Sequence, residues 1–212
     1  MERLTRRSVE FVLVFLGLPI LEWWQSATLR RWIIPQILLI CLVCLVLLWR
    51  DRSFDRSGLF KLPYGWSQVL RIAVLFLIGG AALFAWAVWW AGVDPFFLPR
   101  KRPGLWLVVL LFYPLLSVLP QEVFFRTFFF HRYKTLFPGS RHMVVASALT
   151  FALAHLVLGN WVAPVLAFLG GLLFAWTYSR SQSLLLVTLE HGLWGNWIFT
   201  LGLGPYFYGG HF

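Results

Sequence analysis

The residues of this chain that are equipped for chemistry fall in three short stretches, each set in an apolar run. The first is PQEVFFRTFFFHRY, in which Gln121, Glu122 and Arg126 stand among phenylalanines; Glu122 and Arg126 are four residues apart and share one face of a helix. The second pairs Phe151 with His155, and the third runs from His191 to Asn196. A carboxylate takes a proton from water, one imidazole orients that water or shuttles the proton, and a second imidazole with an amide steadies a tetrahedral oxyanion. Together these are the minimal kit for hydrolysing a peptide bond in a dry site. The same residues also have plainer readings: Glu122 and Arg126 as a structural ion pair, His155 as a core histidine bonded to a backbone carbonyl, and His191 as part of a packing face with Gly192 and Gly195. His131 and His142 stand beside Arg132 and Arg141 and read as interfacial, and His211 in the tail carries no assigned role.

The surroundings decide how such groups are held. The chain has 212 residues, 60% apolar, 19% aromatic and only 12% charged, with a mean hydropathy of +0.77, which is the composition of a membrane protein. At membrane depth an ionisable side chain is expensive unless it has a partner or a task. The formal net charge of +10 comes from Lys and Arg in short clusters between apolar segments. These read as anchors at the lipid headgroups, which excludes nucleic acid as the partner. Cys41 and Cys44 share one apolar stretch, where a bridge between positions i and i+3 has poor geometry and no second pair completes a metal site.

Apolar runs and their flanks predict an all-α, polytopic bundle of about eight transmembrane helices in one integral membrane domain. The expected spans are 11–21, short or tilted; 32–48; 69–90; 105–119; 121–137, starting after Pro120; 143–158; 161–178; and 184–203. Residues 51–67 are the most water-like piece, an exposed loop. Gly170 and Gly171 are small enough to let another helix approach closely. Lys and Arg divide almost evenly between the two sides, so charge does not set the orientation.

The order and spacing of the three stretches resemble the CPBP intramembrane endopeptidases, the family that includes the CAAX-processing proteases and the bacteriocin-associated ABI proteins. That family's pattern is E-E-x-x-x-R, then F-x-x-x-H, then H-x-x-x-N or H-x-x-x-D. Here it reads as Gln121-Glu122 with Arg126, Phe151 with His155, and His191 with Gly195 in the amide position and Asn196 one place later. The resemblance covers roughly residues 105–200. It implies N-terminal transmembrane helices over 1–104 and a catalytic helical core over 105–212. It further implies a protease of a bacterial cytoplasmic membrane that cuts a membrane-associated protein or peptide near its C-terminus by Glu- and His-activated water. Glu122, His155, His191, Arg126, Asn196 and Gln121 are then the candidate catalytic set. No cofactor is expected; zinc is the alternative, and no helix carries an H-E-x-x-H pair. Two further readings stand beside the protease. One is an inactive scaffold or immunity-type protein binding a membrane partner, motivated by Gln121 and the Gly192–Gly195 face. The other is a small transporter or proton pathway, which would require matching polar helices in the first half.

Overall fold

The computed structural model of the protein describes residues 2–61 and 65–208, so Pro63 and His211 lie outside the described residues. Among the described residues every regular element is helical. Seven long helices follow one another: α1 (residues 2–24), α2 (Ser26–Arg50), α3 (Trp66–Trp89), α4 (Pro103–Arg132), α5 (Ser140–Leu158), α6 (Val162–Ser181) and α7 (Leu184–Thr200). Five of them, α2 to α6, are long and apolar enough to cross a membrane. The amphipathic α1 and the 17-residue α7 are not among those five.

The all-α membrane bundle is what the helices form, and the expected count of eight is not confirmed: the spans foreseen at 105–119 and 121–137 lie in one continuous helix. Pro114 opens a wide π-turn at Pro114–Val118, a second π-segment follows at Val123–Phe128, and Pro120 lies between them. The looser turns absorb two residues that lack an N–H without ending α4. The loop expected at 51–67 contains a short helix, Ser57–Phe60. Cys41 and Cys44 are free, as their spacing predicted.

Aromatic rings fasten α1 to α4. Phe15 is fully buried, stacks on Phe124 at 4.7 Å and meets Phe129 edge-on at 5.2 Å. Just above, Glu10 accepts hydrogen bonds from Arg132 Nη2 at 2.7 Å and from Tyr133 Oη at 2.8 Å. Glycines then bring the later helices together. A Cβ added at Gly171 would lie 3.1 Å from Ala148 Cα, so this position of the expected glycine pair is where α5 and α6 approach. Gly192 and Gly195 turn toward Pro114 and Tyr113, seating α7 against the first π-turn of α4.

Candidate active site

The site is built on α4 and divides into a sealed side and an open side. On the sealed side Glu122 and Arg126 have no exposed surface, and their Oε2 and Nε atoms lie 3.4 Å apart. His191 reaches across from α7, and its Nδ1 is 2.8 Å from Glu122 Oε1. Arg126 Nη1 donates to Ser147 Oγ on α5 at 3.2 Å, and Ser147 Oγ donates to the Phe125 carbonyl at 2.8 Å. Rings hold these ions in place. The Arg126 guanidinium lies 4.8 Å from the Phe151 centroid, and the His191 imidazole stacks on Phe174 at 4.4 Å. The sequence prediction of an i, i+4 pair is met, and both carboxylate oxygens of Glu122 face cations or N–H groups.

On the open side lies a cavity of about 510 Å³, mostly apolar, lined by residues that include Tyr113, Ser117 and Gln121 from α4, His155 from α5, and Phe15 and Ile37 from α1 and α2. Gln121 Nε2 donates to Ser117 Oγ at 2.7 Å, and its Oε1 is a buried acceptor with no hydrogen-bond partner among the described residues. His155 Nδ1 is 2.8 Å from the Phe151 carbonyl. A carbonyl only accepts, so the proton sits on Nδ1 and Nε2 keeps its lone pair. Phe151 stands between the two sides, with ring centroids 4.6 Å from His155 and 5.5 Å from His191.

The six sequence candidates therefore separate. Glu122, Arg126 and His191 form one buried knot, while Gln121 and His155 border the cavity; a single polar pocket around Glu122, His155 and His191 is not what the helices make. Asn196 does not line the cavity. Its Nδ2 donates to the Leu110 carbonyl at 3.2 Å, the oxygen that an N–H at position 114 would bond in an α-helix and that Pro114 leaves free.

Four participants escaped sequence reasoning. Glu190 on α7 is 1% exposed, and neither carboxylate oxygen has a hydrogen-bond partner within normal distance among the described residues. It interacts with Thr177, whose hydroxyl accepts from Arg71 Nη2 at 2.7 Å. Glu190 was readable as an acid in an apolar helix next to His191. Arg71, half-buried on α3, was not singled out by the sequence. Ser147 and Tyr113 gave no signal, being an ordinary serine and one aromatic among many.

Zinc needs three or more suitable side chains around one centre. Among the described residues no group of three His, Cys, Asp or Glu has that arrangement, and the closest pair, Glu122 with His191, is bonded to itself. The described donors do not make a zinc site.

Fold and site together define a polytopic helical membrane protein with an acid and a cation on one helix and imidazoles brought beside them from two others. Residues 103–197, which hold the whole site, match the family model of type II CAAX prenyl endopeptidase Rce1-like proteins. Over that segment, a little under half of the chain, the protein is similar to the CPBP/CAAX proteases, as the three motifs indicated. No curated protein and no solved structure matches the chain.

Proposed function

We propose that the protein is an intramembrane endopeptidase, in the bacterial cytoplasmic membrane, that hydrolyses a peptide bond near the C-terminus of a membrane-associated protein or peptide. A single observation carries this reading. Gln121 and His155, from two different helices, border one cavity, Gln121 with a buried acceptor oxygen that has no partner among the described residues and His155 with an imidazole lone pair. A water there donates one hydrogen to Gln121 Oε1 and the other to His155 Nε2. Its own lone pair is left for the carbonyl carbon, and His155 takes the proton as the new bond forms. An amide cannot act as the base, so Gln121 orients the water. Glu122 has no exposed surface, its Oε1 meets His191 and its Oε2 faces Arg126 Nε at 3.4 Å without a hydrogen bond; it holds His191 and Arg126 in place instead of meeting water. This is a metal-free hydrolysis by His and carboxamide, supported by a carboxylate.

The test uses purified protein in detergent and a panel of membrane-proximal peptides, some ending in a prenylated Cys-a-a-X sequence and some unprenylated. Cleavage of one member, lost in His155→Ala, is the expected result. Cleavage that survives both His155→Ala and Glu122→Gln overturns the mechanism.

One observation favours a second reading, a non-catalytic scaffold: the cavity receives an amide at position 121 where a carboxylate would be the stronger base. That reading expects crosslinking to recover a stable membrane partner, and no peptide cleaved.

A further inference from the structure

We infer that the Tyr113 hydroxyl donates the hydrogen bond that receives the oxyanion formed on the scissile carbonyl, a role that rests on the endopeptidase reading. Tyr113 lines the same cavity as Gln121 and His155, two turns earlier on the same helix as Gln121. Its ring meets Phe199 edge-on at 5.1 Å and 68°, which fixes the ring plane. The hydroxyl end lies over Gly195, one turn along α7 from His191. A Cβ added at Gly195 would stand 2.7 Å from Tyr113 Cζ and closer still to Oη, so a bare glycine is what makes room for the phenol. Tyr113 also interacts electrostatically with Glu122, which places it at the junction of the sealed and open sides.

The side-chain amide and imidazole donors nearby are engaged or sealed off. Asn196 Nδ2 is on the Leu110 carbonyl, Gln121 Nε2 on Ser117 and His155 Nδ1 on Phe151, while Arg126 has no exposed surface. The Tyr113 hydroxyl makes no hydrogen bond among the described residues, and a phenol held by its ring with its O–H uncommitted is a preorganised donor. In the step itself, water oxygen bonds to the carbonyl carbon, its proton passes to His155 Nε2, and the π pair moves onto the carbonyl oxygen. Tyr113 donates to that oxygen and keeps its proton. The pair returns as the C–N bond breaks, and the amine leaves with the proton from His155.

Tyr113→Phe keeps the ring and removes only the hydroxyl. With a peptide that the wild type cleaves, kcat should fall by about 10²- to 10³-fold, as for the loss of one oxyanion donor, with KM changed little. A phosphinate analogue of the same peptide, a tetrahedral anion that cannot be cleaved, should bind the variant about 10²-fold more weakly, whereas a purely structural role would leave the ratio of phosphinate to substrate affinity unchanged. A melting temperature in detergent equal to that of the wild type confirms the fold. If kcat and phosphinate affinity stay at wild-type values, the donor assignment is overturned and the endopeptidase reading stands. If the wild type cleaves no member of the panel, the endopeptidase reading fails first and takes this donor with it.

Discussion

Gln121 and Glu122 are consecutive residues of α4, yet one borders a cavity and the other has no exposed surface. A step of one residue turns a helix by about 100°, enough to send neighbours to different worlds. On the Glu122 side, His191, Arg126, Ser147 and two aromatic rings close around a carboxylate and leave it nothing to react with. On the Gln121 side, hydrogen bonds to Ser117 and Phe151 orient an amide and an imidazole while keeping one acceptor on each free. The difference shows that holding a charge under lipid and using one are distinct tasks, and that α4 gives them to adjacent positions.

Four changes break or sharpen this contrast. The largest effect is expected from His155→Ala on the open side: cleavage of the best panel peptide should drop by about 10²- to 10⁴-fold, the range for losing a general base, with the melting temperature unchanged. Glu122→Ala on the sealed side should act in the opposite way. It leaves Arg126 buried without its partner, and unfolding in detergent should show a loss of about 3–5 kcal/mol. Equal destabilisation by both variants would erase the distinction between the sides.

Gln121→Glu places a second base in the cavity and should raise kcat by about tenfold. Measured in the same assay, a gain from a silent wild type would move the native protein to the scaffold reading. The smallest effect lies outside the membrane spans, at Asp51. There the His131 imidazole, with Nε2 2.9 Å away, and the Ser53 hydroxyl and N–H hold the carboxyl well below its usual range. A carboxyl with a lowered pKa in the folded state contributes stability above the ordinary aspartate value of about 4, and that contribution fades as pH falls further. The stability difference between wild type and Asp51→Asn should therefore be steady near neutrality and shrink below pH of about 4. Thermal melts across that range measure it, and a difference that grows on acidification would refute the contact.

Much of this was legible from residue types and spacing. Composition alone required a helical membrane bundle, and the i, i+4 spacing of Glu122 and Arg126 required their pairing, found at 3.4 Å. What stayed hidden depends on phase and on contacts distant in sequence. The π-turns at Pro114–Val118 and Val123–Phe128 change which face of α4 each residue presents, and no local pattern announces them. On α4 it is Gln121, and not Glu122, that borders the cavity, where His155 meets it from α5. Asn196 was placed near the chemistry by its distance from His191, whereas the missing N–H of Pro114 had already created a claim on its amide. Tyr113 became visible only when α7 set Gly195 beneath it.

The wall of the cavity is also instructive. Phe15 and Ile37 lie in the first fifth of the chain, far in sequence from the helices that carry the acid, the amide and the imidazole. Girth and reactivity are thus written in separate stretches of polypeptide. Trimming or bulking those two side chains would resize the berth for a guest while every proton-handling group stayed where it was.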